Sequence, residues 1–165
     1  MTQARELRCY EYVNRPYERV SSVVVADPAG LFQRATTTTA ERARSLGAKL
    51  KVTVAGLEVG KEVRIEVTSV DASRRAPGEL TGPALAVGLR WQASSGESFF
   101  PEMTAELLVY PLSGDETQLD LRGAYVPPGS VVGSAVDALV GHRVAEASVH
   151  RFLREVAERL SADAA

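Results

Sequence analysis

One cysteine, two histidines and one tryptophan stand among 165 residues. With Cys9 alone, no internal disulfide framework and no multi-cysteine metal site can form. A single thiol suits a reducing compartment, and a cytoplasmic protein is expected. His142 and His150 lie eight residues apart with no further His or Cys to complete a ligand set, so no metal is expected. No cofactor is expected either, because the Gly-rich phosphate loop, the dinucleotide fingerprint and the Ser-His-Asp arrangement are all missing. No apolar run approaches the roughly 18 residues of a membrane span. The opening Met1-Thr2-Gln3-Ala4-Arg5-Glu6 is polar, unlike a secretory signal. Nineteen basic against 21 acidic residues leave a net charge of −2, with no excess to attract nucleic acid or an anionic membrane. Internal repeats are absent, and the threonine run at 36–39 is too short to be low-complexity sequence.

What is present is an ordinary globular composition, 45% apolar and 24% charged. The length predicts one domain over 1–165, with its core at about 7–160. The strongest pattern lies at the C-terminal end. Pro127-Pro128-Gly129 breaks the chain. Val132, Val136, Leu139, Val140, Val144, Ala147, Val149, Phe152, Leu153, Val156 and Leu160 then recur mostly three or four apart. That is the period of a one-faced helix. About 30 residues at 1.5 Å rise make a rod of about 45 Å. A chain of this size has a radius of gyration of about 15 Å, so such a helix must cross the whole molecule.

Leu7 to Val13 reads as a strand, ended by Asn14-Arg15-Pro16. Pro16 suits the first turn of a helix, with Asn14 as a nearby cap. Tyr17, Val20, Val23 and Val24 then follow helical spacing. Asp27-Pro28 starts a second short helix with apolar Leu31, Phe32 and Ala35, Asp27 being its cap. A further turn over 40–46 is expected to stop at Gly47. The period then changes to two. Leu50, Val52 and Val54 alternate with lysine and threonine, 56–60 forms a turn, and Val63, Ile65 and Val67 alternate with charged residues. The proline- and glycine-rich stretch 73–83 reads as a loop. Leu85, Val87, Leu89 and Trp91, then Met103, Ala105, Leu107 and Val109, then Leu119, Leu121 and Gly123 continue the alternation. Such strands cover one sheet face and leave the other to water or a partner. The predicted fold is α+β: an antiparallel sheet of about six strands, two short helices after the first strand, and a long C-terminal helix.

This order resembles the SRPBCC superfamily, the helix-grip fold of START lipid-transfer domains and bacterial polyketide cyclases. Three stretches carry the resemblance. They are Tyr12-Val13-Asn14-Arg15-Pro16-Tyr17-Glu18-Arg19-Val20, the strand Thr117-Gln118-Leu119-Asp120-Leu121-Arg122-Gly123, and Tyr125-Val126-Pro127-Pro128-Gly129 leading to Asp137 and Gly141-His142-Arg143-Val144-Ala145. Within the superfamily the chain looks most like an uncharacterised bacterial group. The resemblance implies a curved sheet gripping the long helix around a cavity for a lipid, sterol or polyketide-like molecule. It carries no catalytic residue over, because the superfamily has no universal ones. In the superfamily, loops at the sheet end where 73–83 lies often gate the cavity, and its prolines and glycines suit a lid as well as any long hairpin loop.

The candidate cavity wall is the apolar stripe of both elements. From the sheet it takes Val52, Val54, Ile65, Val67, Val87, Leu89, Trp91, Met103, Ala105, Leu107 and Leu121; from the helix, Val136, Leu139, Val140, Val144 and Phe152. The same residues are equally suited to fill a dry core. Gly133, Ala138, Gly141, Ala145 and Ala147 keep the helix slender, which favours space. Four polar contacts are candidates. Arg90 reaches a ligand carboxylate only if a bulge turns it inward. Tyr12 and Tyr125, like Tyr10, each bring a phenol. His142, with Glu146 four residues on and Asp137 five back, has an orienting carboxylate but no matching nucleophile. The pairs Arg151–Glu155, Arg154–Glu158 and Glu155–Arg159 read as a solvated helix face.

Three functions stay open on these residues. The first is a non-catalytic binder or carrier of a hydrophobic small molecule. The second is an enzyme of the cyclase, aromatase or dehydratase kind. The third is a closed-core interaction module, and a homodimer fits its exposed sheet face.

Overall fold

The computed structural model describes the backbone of residues 4–50, 63–93, 102–125 and 135–165, with side chains except at 43–50, 93, 135–142, 144 and 145. The elements run β1 (Arg5–Val13), α1 (Tyr17–Ala26), α2 (Pro28–Leu50), β2 (Val63–Arg75), β3 (Pro83–Ala93), β4 (Met103–Pro111), β5 (Thr117–Tyr125) and α3 (Ala135–Asp163). The strands form one antiparallel sheet in the order β1-β5-β4-β3-β2. The 29-residue α3 is the long helix read from the sequence. An α+β chain with this antiparallel sheet and C-terminal helix has the helix-grip layout.

Alternation decides which sheet face is covered. Leu85, Val87, Leu89 and Trp91 of β3, Leu107 and Val109 of β4, and Leu119 and Leu121 of β5 all point to one side and are buried. Onto them pack Val20 and Val24 of α1, Leu31, Phe32 and Ala35 of α2, and Val149, Phe152, Leu153, Val156 and Leu160 of α3. Fully burying one such side chain contributes about 1.5–3 kcal/mol. Among the described residues no helix is long and apolar enough to cross a membrane.

One of the two predicted helix starts differs at its cap. Asp27 caps α2 as expected, its Oδ1 accepting from the Gly30 amide at 2.9 Å. Asn14 does not cap α1; Pro16 holds the N-cap position and offers no side-chain hydrogen bond.

The larger correction lies at α2, a helix of 23 residues rather than a short one. It runs through Gly47 and takes in Leu50, which the alternation had assigned to a strand. Leu46 and Leu50 are four apart, so a helix satisfies them as well as a strand does, and one interior glycine costs only about 1 kcal/mol. The sheet therefore has five described strands instead of about six. Val52, Val54 and the 56–60 turn lie outside the described residues.

The 73–83 loop is also shorter than expected. β2 extends to Arg75 and β3 begins at Pro83, a tolerated first position for proline. The connection is closed by the Ala76 amide bonding to the Gly82 carbonyl at 3.1 Å, with Gly78 at a φ of +69°. β2 carries a register shift between Val67 and Ser69. Gly88 lies beneath it, and a Cβ there would run into the Thr68 and Ser69 hydroxyls.

Candidate functional site

The strand register divides the interior into two ends. At one end Pro111 pairs with Thr117 and Pro83 with Arg75. At the other, Trp91 pairs with Met103 and Met103 with Tyr125. At the first end Val13, Leu85, Val109 and Leu119 show no exposure beneath the helices, and at the second Trp91, Met103 and Tyr125 are buried as well. The 76–82 connection sits at the first end, where Gly82 approaches the Pro111 ring and Ala76 is buried with Ala84 and Tyr110. It therefore stands away from the Trp91–Met103–Tyr125 end.

That second end is the candidate site. Its sheet wall is Ile65, Trp91, Met103, Ala105 and Tyr125, with Gly123 paired to Ala105 and two residues before Tyr125 on β5. Gly123 is required there. A Cβ would come within 2.6 Å of the Met103 Cε, 2.8 Å of the Thr104 carbonyl and 2.9 Å of the Ala105 Cβ. From α3 the ring of Phe152 meets Trp91 edge-on, centroids 5.0 Å apart, and lies 6.4 Å from Phe32.

Polar chemistry enters this wall at Tyr125, only 1% exposed on the covered face. Burial pushes its phenol above the ordinary tyrosine value; the Glu146 carboxylate adds to the rise, and Arg5 opposes it. Glu146 is half-buried on α3. It stands three residues before Val149 and seven before Leu153, both fully buried, so it falls on the inward stripe. A protonated, buried phenol thus sits at one end of an apolar interior.

The sequence-derived candidates divide accordingly. Val87, Leu89, Trp91, Met103, Leu107, Leu121 and Phe152 are buried on the covered face, and Ile65, Val67 and Ala105 pack against them. Val136, Leu139, Val140, Val144 and His142 belong to α3, but their side chains lie outside the described set. Arg90 does not turn inward. The bulge is on the neighbouring strand, and the guanidinium lies outside, 3.8 Å from Glu66. Tyr12 is also on the outer face, 47% exposed and edge-on to Tyr10 at 5.8 Å.

Several residues escaped the sequence reading. Glu146 pairs with His142 in the sequence, and its spacing to Val149 and Leu153 also sets it beside the inner stripe. Thr36 belongs to a threonine run, yet it accepts the Trp91 indole N–H at 3.3 Å. Glu155 is not on a solvated face. It is buried in the seam between α2 and α3, its carboxylate 3.0 Å from Arg159 and 3.2 Å from Arg42. Arg154 reaches Glu11 of β1 at 3.5 Å. Asp120, an outward-facing position, is fully buried beneath Arg8 and Arg122.

No family model matches this sequence, and no curated protein matches it. Among solved structures, the chain is similar to a Thermus thermophilus protein, TTHA0849, at 19% identity and a TM-score of 0.47, covering 96% of this chain and 98% of that one. A START superfamily protein from Mycobacterium smegmatis aligns at 10% identity and a TM-score of 0.45, over 97% and 99% of the two chains. The Zhui aromatase/cyclase from Streptomyces aligns at 18% identity and a TM-score of 0.34, over 98% and 88%. The chain's own element order and sheet topology, an antiparallel sheet with a long C-terminal helix, define its α+β class.

Proposed function

We propose that the protein binds and carries a hydrophobic small molecule between the sheet and α3, at the end walled by Trp91, Met103, Ala105 and Tyr125. The observation that supports this reading is the make-up of that wall: the apolar side chains of Trp91, Met103 and Phe152 stand beside the small Ala105, a glycine at 123 and the buried phenol of Tyr125. Ligand sites are built in this way, from mostly apolar walls with a few placed polar groups. From their spacing in the sequence we add Val52, Val54, Val136, Leu139, Val140 and Val144 as further lining candidates, with His142 four residues before Glu146. A lipid, a sterol or a polyketide-like molecule matches such a wall.

The test is native mass spectrometry of protein purified from its own cells without detergent. A stoichiometric added mass that is lost on denaturation supports the reading. No added mass, together with no thermal shift from fatty acids, sterols or aromatic polyketides, removes it in favour of a closed-core interaction module.

A second reading is favoured by Tyr125 and Glu146 together. Two ionisable groups at one apolar wall are what a cyclase, aromatase or dehydratase needs to move protons. Turnover of a bound polyketide-like substrate that vanishes in both Tyr125→Phe and Glu146→Gln would select it over simple carriage.

A further inference from the structure

We infer that the outer edge of β1 pairs antiparallel with β1 of a second copy of this chain, so that two sheets join into one. The pairing runs along the rim of the sheet and does not depend on what the interior holds.

β1 and β2 are the outermost strands, and only β2 is guarded. The Gln33 carboxamide of α2 donates to the Val63 carbonyl and accepts from the Ile65 amide, both at 3.1 Å. It occupies the β2 edge as one residue of a neighbouring strand would. Beyond it β2 breaks register twice, between Val67 and Ser69 and between Asp71 and Arg74. The Asp71 carboxylate takes the Ser73 amide at 2.9 Å. Bulges and covers of this kind stop another strand from adding to an edge.

β1 has none of these guards. Its nine residues hold unbroken register with β5 from Arg5 to Val13, without proline, glycine or lysine. Among the described residues no side chain hydrogen-bonds to its outer backbone edge. Tyr10 and Tyr12 stand on its outer face, 56% and 47% exposed. Glu11, the acidic residue on the inner side, is held by Arg154 of α3 at 3.5 Å. A regular edge of this length carrying exposed aromatics is a template for strand addition.

The side chains of β1 complement a second β1. Antiparallel pairing centred on Cys9 overlaps all nine residues and keeps both covered faces on the same side. About eight backbone hydrogen bonds would form. Arg8 then stands opposite Tyr10 of the second copy, and Glu6 opposite Tyr12, whose hydroxyl can donate to a carboxylate. Twofold symmetry repeats each pair. Sliding by two residues in one direction sets Arg8 against Arg8, a like-charge pair. Sliding in the other shortens the overlap to 7–13 and leaves Glu6 without a partner.

Sedimentation equilibrium of the full chain over about 1–100 μM reads the association. The wild type should approach twice the 17.7 kDa chain mass. Tyr12→Glu, at an exposed position, sets a carboxylate opposite Glu6 twice per dimer and should weaken association at least about tenfold. Adding Glu6→Lys turns each repulsion into an ion pair and should recover most of that loss. Thermal midpoints confirm that the variants fold. Hydrogen exchange adds a readout that needs no variant: the 5–13 amides of the wild type should exchange more slowly at the high concentration than at the low one. A wild type that stays monomeric, or 5–13 amides that exchange equally at both concentrations, overturns the inference. So does a dimer that Tyr12→Glu leaves unchanged, or one that Glu6→Lys does not restore.

Discussion

The indole N–H of Trp91 donates to the hydroxyl of Thr36 at 3.3 Å, tying the covered face of β3 to α2. The same indole meets Phe152 of α3 at 90° with 5.0 Å between centroids. One buried side chain thus links the sheet to two helices that are distant from it in sequence. Such contacts combine apolar burial with an edge-to-face term of about 0.5–1.5 kcal/mol.

Removal of Phe152 should be felt at Trp91. Phe152→Ala is expected to cost about 3–5 kcal/mol, read from the urea midpoint. Trp91 emission should shift to the red as water or a relaxed side chain reaches the indole. An unshifted spectrum with an unchanged midpoint would contradict the packing.

Asp120 should make the fold sensitive to acid. Burial alone would push its carboxyl up, but hydrogen bonds from Arg8 and Arg122, together with their charges, outweigh burial and hold it below the ordinary 3.8. Arg8 Nη2 and Arg122 Nη2 each lie 2.9 Å from Oδ2, and Arg8 Nε lies 3.1 Å from Oδ1. A depressed carboxyl contributes stability that is complete above its unfolded value and is lost as pH falls through the folded one. Asp120→Asn should cost about 2 kcal/mol at neutral pH. Denaturant titrations should then show a shallower loss than the wild type below pH 3.8. Parallel acid curves would show that the clamp contributes nothing.

Cys9 gives the opposite signature at high pH. Burial chiefly, then the charges of Asp120 and Glu11, pushes its thiol up to about 12 from 9.0. The folded state therefore holds the proton that the unfolded chain releases, and this contribution to stability is lost as pH rises from 9.0 towards 12. Cys9→Ala should flatten that part of the alkaline stability curve. In the native protein a thiol reagent should react at least about a hundredfold more slowly than in urea. Prompt native labelling would place the thiol at the surface.

Gly123 is the backbone test of the candidate site. An added methyl meets the Thr104 carbonyl as well as Met103 and Ala105, so relief needs movement of the β4 backbone. Gly123→Ala should cost about 1–3 kcal/mol and weaken ligand binding at the same time. A fully stable variant that binds as before would show that the wall tolerates a side chain there.

Much of this architecture is legible in the residues because two simple periods carry it. The alternation of Val63 to Val67, Leu85 to Trp91 and Met103 to Val109 can only bury one face of a strand. Val149, Phe152, Leu153, Val156 and Leu160 can only bury one stripe of a helix. The reading fails where a short pattern suits both periods, as at Leu46 and Leu50. It fails again where burial comes from neighbours instead of position. Asp120 sits at an outward position and is sealed by two arginines and Tyr110. Glu155 belongs to a charged run, but the approach of α2 closes over it.

The sequence by itself determined the five described strands, the covered face of each and the length of the closing helix, because these follow from side-chain spacing along one segment. Only the tertiary structure decided that Arg90 faces Glu66 outside, that the 76–82 connection lies at the end away from Trp91 and Met103, and that Tyr125 is buried on the covered face. Those facts depend on strand register and on how helices seat against the sheet. They are set by contacts between residues far apart in the chain, which no local pattern encodes.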